Sequence, residues 1–147
     1  MKKLLVVLLL SGAVALFQFI GRQHSSTPAT SSPTLRQGNS GLTHAFENHA
    51  DGVQVEGQGT VVKVLRDDNE GSRHQRFIIR VDDGNTLLIA HNIDLAPRVS
   101  PLSEGDTVSF SGEYAWNSKG GVVHWTHHDP KGLHAAGWIR HDGQVFQ

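Results

Sequence analysis

Ten histidines stand among 147 residues, and five of them fall in the run HWTHHDPKGLHAAGWIRH, His124 to His141. Imidazoles at that density hold a metal ion, move a proton or hydrogen-bond a ligand. Imidazole nitrogens together with a carboxylate suit zinc and similar divalent ions. The candidate metal ligands are therefore His127, His128 and Asp129, folding back around Pro130, with Asp94, His91 or His134 as further donors. Spacing limits the idea. On one extended strand His124 and His128 would lie about 13 Å apart, at roughly 3.3 Å per residue, too far to chelate one ion. Exposed polar residues on a wet strand end and an irregular tail would account for the same letters.

A second constellation is GSRHQRF, Gly71 to Phe77. His74 and Arg76 leave an extended chain on one face, Arg80 follows, and Arg73 precedes them, so guanidinium forks and an imidazole point together. Phosphates and carboxylates are their natural targets, although a solvated strand face carries the same charge pattern. The preceding DDNEG offers oxygens to a hard cation such as calcium but lacks the full loop signature. LLIAHNIDLAPR adds His91, Asn92 and Asp94. His91 falls on the core side, where a buried, hydrogen-bonded ring is expected, and Asp94 would orient an imidazole. The chain has no cysteine, no GxSxG and no phosphate loop, which excludes thiol chemistry and leaves serine hydrolase chemistry without support.

These residues need a scaffold, and beyond Val53 the pattern is period two with Gly, Asp and Asn punctuation. Five strands are expected: 55–65, 74–81, 85–92, 106–116 and 121–128. A long first strand, a tight second hairpin, an insertion with room for a short helical turn and a final hairpin suit an all-β, five-stranded, OB-like Greek-key barrel. A three-residue loop at Asp82-Asp83-Gly84 registers the second hairpin. It pairs Phe77 with Ile89 and Ile79 with Leu87 inward, and His74 with Asn92, Arg76 with Ala90 and Arg80 with Thr86 outward. In the fourth strand Val108, Phe110, Tyr114 and Trp116 share a face. In the fifth, Val123, Trp125 and His127 oppose His124, Thr126 and His128. Third and fifth strands are neighbours in such a barrel, so His124 or His128 would join the His74, Arg76 and Asn92 patch.

Ahead of the barrel, Lys2 and Lys3 precede an apolar run from Leu4 to Ile20, the pattern of an export signal. The expected organisation is a hydrophobic helix over 1–20, acting as signal anchor or signal peptide, a flexible disordered linker over 21–43, and the barrel domain with its His/Trp-rich end over 44–147. Uncut, the apolar run would span about 25 Å at roughly 1.5 Å per residue and hold the domain on the inner membrane, facing the periplasm. Cut after Ala15, it would release a soluble periplasmic or secreted domain. From His44 onward nine Lys and Arg face fourteen Asp and Glu, a formal charge of −5. That disfavours nonspecific nucleic-acid binding, whose affinity comes from neutralising phosphates.

Four motifs in order, DDNEGSRHQRFIIRV, LLIAHNIDLAPRV, GDTVSFSGEYAWN and GGVVHWTHHDP, resemble an uncharacterised family of small exported bacterial proteins, a domain of unknown function, over Gly57 to Phe146. The resemblance implies one exported domain and no particular activity. At fold level the strand order is similar to OB-fold proteins, which include oligonucleotide and oligosaccharide binders and thermonuclease-type phosphodiesterases, though the thermonuclease pattern is not matched position by position. Two functions follow as expectations, the first leading and the second its alternative. One is an extracytoplasmic hydrolase, a phosphodiesterase dependent on zinc, calcium or magnesium. In it His74, His91 or His124, or a metal-bound water, acts as base, Asn92 completes the site, and Arg73 and Arg76 stabilise charge on phosphate. The other is a noncatalytic module in the cell envelope for an oligosaccharide, nucleotide or peptide, the expected partner being a small or oligomeric anionic ligand, with Arg80 as a contact and Tyr114, Trp116, Trp125 and Trp138 as stacking platforms. The sequence does not choose between enzyme and binder, nor does it give the oligomeric state.

Overall fold

The computed structural model describes residues 33–82 and 84–147. One helix, α1 (Pro33–Glu47), precedes seven strands: β1 (Asp51–Val64), β2 (His74–Arg80), β3 (Thr86–Asn92), β4 (Thr107–Ala115), β5 (Val122–His124), β6 (Trp138–His141) and β7 (Gln144–Phe146). The order β1-β2-β3-β5-β4 closes by pairing β4 back onto β1, giving the five-stranded barrel, and β6 and β7 extend it from β4. β1 is long enough to serve both neighbours, pairing with β4 over 51–60 and with β2 over 60–64. At the changeover sits Gly59, where a Cβ would come 2.6 Å from the Arg80 carbonyl oxygen, so only glycine lets the backbones approach there.

Alternation builds the core. β2 and β3 bury every second residue, and Phe77, Ile79 and Ile89 are wholly covered, as are Val108, Phe110, Tyr114, Val123 and Ile139. Each such aliphatic side chain removed from water contributes about 1.5–3 kcal/mol. The β2–β3 register has Phe77 opposite Ile89, Ile79 opposite Leu87 and His74 opposite Asn92, as the turn requires, with the Val81 amide donating to the Asn85 carbonyl at 3.0 Å. β3 and β5 are parallel neighbours, Leu88 beside Val122 and Ile89 beside Val123.

Three elements depart from the expectation. Residues 33–43, read as part of the linker, are helical; Leu42 and Ala45 enter the core, Phe46 packs against it, and Asn39 Nδ2 donates to the Gln58 carbonyl at 3.2 Å. The last strand ends at His124 rather than His128, because Trp125 takes a left-handed backbone (φ 53°) that breaks the alternation. The tail, which the five-strand reading left without a strand, forms the β6–β7 hairpin around Asp142 (φ 47°) and Gly143 (φ 75°), the conformation of a type I′ turn. The proposed hydrophobic helix of residues 1–20 lies outside the described residues. Among those described, no helix is long and apolar enough to cross a membrane.

Candidate functional site

The barrel's outer face carries a row of polar residues interrupted at Ala90. Arg76 on β2 pairs with Ala90 on β3; the β3–β5 register, continued by one residue, brings His124 beside Ala90, and His124 pairs with Glu113 on β4. His74 and Asn92 form the adjoining pair. His124 Nε2 lies 3.7 Å from Glu113 Oε1. Partial burial pushes the His124 ring below the ordinary imidazole value, Glu113 opposing and the nearby His74 and His134 adding to the effect. The His74 ring donates from Nδ1 to the Ser72 carbonyl at 2.8 Å, which leaves Nε2 a bare acceptor when neutral.

Trp125 ends this row. A bulky L-residue in the left-handed region is an outlier that surrounding structure must enforce. Here it turns the ring outward, 38% exposed, and sends Thr126 and His127 inward, 0% and 1% exposed. His134 lies against the indole with centroids 4.1 Å apart and the ring planes tilted by 44°, and it meets His127 edge-on at 5.2 Å.

Beneath the row is a rigid joint. His91 is fully buried; its Nε2 donates to the Pro97 carbonyl at 3.0 Å and its Nδ1 accepts from the Thr126 hydroxyl at 2.8 Å. Burial, with His127 and His74 nearby, lowers its proton affinity against the opposing Pro97 and Thr126 bonds, so the ring is held neutral. Gln75 adds a two-way clamp to Val99, each bond 2.9 Å. His91 is thus a tie between β3, the 93–106 connection and the exit of β5. It lies buried beneath the outer face, whereas His74, Arg76, Asn92 and His124, expected beside it from sequence, are partly exposed.

The arginines are engaged. Arg73 binds Asp94 through its Nε and its backbone amide, both at 2.7 Å. Arg98 makes two bonds to Asp67, at 2.7 and 2.9 Å. Arg76 donates twice to the Arg66 carbonyl at 3.2 Å and lies 3.8 Å from Asp68. The Arg73 contacts hold Asp94, and Arg98 holds Asp67, below the usual carboxylate range. Arg80, at the far end of β2, is exposed beside Asp82 and Thr107.

The expected metal ligands are separated. Asp94 is committed to Arg73, His128 is exposed, and His127 donates from Nδ1 to the His128 carbonyl at 2.8 Å. Asp129 organises the turn that follows it, accepting from the amides of Lys131 and His134 at 2.8 and 2.9 Å and also from Leu133. Burial opposes its charge, but those three donors hold its carboxyl down to about 2. His134 Nε2 is 3.8 Å from Asp129 Oδ2. Among the described residues no three His, Asp or Glu side chains are grouped to hold a metal ion. Of the expected platforms, Tyr114 is wholly buried, its hydroxyl donating to the Gly120 carbonyl at 3.2 Å, and Trp116 is partly buried against His49. Glu113 is not among the site residues expected from sequence, although its place on the outward side of β4, opposite His124, was the available signal.

Fold and face together define an OB-type barrel with a polar, tryptophan-edged outer sheet. The chain belongs to the family described as a protein of unknown function, DUF3465, whose match covers residues 26–147. No curated protein matches the sequence.

Proposed function

We propose that this protein is a noncatalytic binding module whose ligand lies across the outer face of β2, β3 and β5, against His74, Asn92, His124, Glu113 and Trp125. The observation that carries the reading is the left-handed backbone at Trp125, which costs about 1–2 kcal/mol for an L-residue and puts an indole in solvent at the end of a polar row. The hydrolase expectation has less to stand on, since Arg73 is bound to Asp94, Arg76 is engaged by the Arg66 carbonyl with Asp68 beside it, and its metal ligands do not converge. Export rests on the Lys2, Lys3 and Leu4–Ile20 pattern alone.

The test is capture from a panel of oligosaccharides, oligonucleotides and peptides by the full-length chain. His124→Ala and Trp125→Gly are expected to lose the captured ligand, while Arg140→Ala, on a groove with Gln58, Ser109 and Trp138, retains it. The opposite ranking would refute the outer face as the binding surface.

A further inference from the structure

We propose that the ligand of this face is an uncharged, hydroxyl-rich chain of the oligosaccharide class rather than a phosphate or carboxylate polymer, an inference that rests on the outer-face reading above. The argument begins with charge. An anion needs uncompensated cations, and around this face Arg73 is bound to Asp94, Arg98 to Asp67, and Arg76 to the Arg66 carbonyl with Asp68 beside it. Glu113, about one-third exposed, is the carboxylate left on the row, and its histidine neighbour His124 is biased toward the neutral ring by partial burial. A phosphate laid here would meet a carboxylate at close range, and the Arg73 and Arg98 guanidinium groups are already bound to aspartates.

Hydrogen-bond complementarity points the same way. With Nδ1–H tied to the Ser72 carbonyl, His74 offers an acceptor at Nε2; Glu113 offers carboxylate oxygens; Asn92 spends Oδ1 on the Asp94 amide at 2.9 Å and keeps its NH2 as donor. Phosphate oxygens only accept, so most of this set would be left facing them unpaired. A hydroxyl both donates and accepts and satisfies every member. Trp125 supplies the remaining requirement, a flat apolar surface with a polar rim, which suits the C–H face of a sugar ring. Its indole is supported from one side by His134 at 4.1 Å, so the platform is braced before any ligand arrives.

The experiment titrates full-length protein with a neutral oligosaccharide panel, with acidic oligosaccharides and with a single-stranded oligonucleotide, at low salt and at about tenfold higher salt, where charge attraction is strongly screened. The expected result is binding of a neutral member with little salt dependence, weakened about tenfold or more by Trp125→Gly and by Glu113→Ala. Circular dichroism of both variants shows whether loss of binding is loss of fold, and Asn92→Ala serves as the second variant should either fail to fold. Salt-sensitive binding of the acidic probes or the oligonucleotide, abolished by Trp125→Gly, would overturn this inference and leave the outer face standing. Neutral-sugar binding indifferent to Trp125, Glu113 and Asn92 would overturn the outer face itself, and no binding by any probe would overturn both.

Discussion

Replacing Trp125 by glycine and by alanine separates the backbone argument from everything else about that residue. Both substitutions delete the same indole, and with it the contacts to His134 at 4.1 Å and to His127 at 5.8 Å, so those losses cancel in the comparison. What differs is the cost of φ 53°. Alanine keeps the Cβ clash, about 1–2 kcal/mol, whereas glycine is free of it. Glycine in turn loses about 0.5–1 kcal/mol more chain entropy on folding. The glycine variant should therefore be the more stable by about 0.5–1 kcal/mol, the reverse of the order at an ordinary strand position. For a domain of this size that is a difference of about 2–5 °C in Tm. Thermal and urea unfolding followed by circular dichroism measure it. An alanine variant equal to or more stable than the glycine variant would refute the left-handed kink, and with it the account of why the ring is exposed.

Three further outcomes follow from the same geometry. The buried His91 ring resists a proton that the unfolded chain accepts near pH 6.5, so stability should be level above that pH and fall as pH drops from it toward the lower folded value, with His124 acting in the same sense. Urea midpoints across that window check it: His91→Gln should flatten the slope, and a wild-type midpoint that rises on acidification would contradict it. Asp129 has a folded value near 2, so its contribution to the 130–134 turn is present above the ordinary aspartate range and lost as pH falls through about 2. Asp129→Ala should speed amide exchange at Lys131, Leu133 and His134, and unchanged exchange there would count against the turn. Finally, a reporter active only outside the cytoplasm, fused after Gln147, should be active behind the Lys2, Lys3 and Leu4–Ile20 segment; activity of a cytoplasm-only reporter at the same position would overturn export.

The β2–β3 hairpin was readable residue by residue because two cues agree, a glycine-closed turn at Gly84 and strict alternation through Phe77, Ile79, Leu87 and Ile89. The kink at Trp125 was not, since the letters continue to alternate through Val123, Trp125 and His127 while the backbone does not. α1 hides in a Ser, Thr, Gly and Pro composition because its described apolar face is only Leu42, Ala45 and Phe46, and packing against the barrel decides its fate more than propensity does. β6 and β7 are too short to show a period. The candidate patch was legible as residue types on one face. The pairing that neutralises its arginines was not, because Asp94 and Asp67 reach Arg73 and Arg98 from 21 and 31 residues away in sequence.

The most direct measurement of the central claim uses the three tryptophans as separate reporters. With indole and backbone resonances assigned, the neutral oligosaccharide retained by the protein is titrated in and shifts are mapped. The outer-face account predicts that the Trp125 indole moves together with the amides of His74, Asn92 and His124, while Trp116, packed against His49, and Trp138, beneath Arg140 on the other groove, stay in place. Shifts confined to Trp138, Arg140, Gln58 and Ser109 would contradict it.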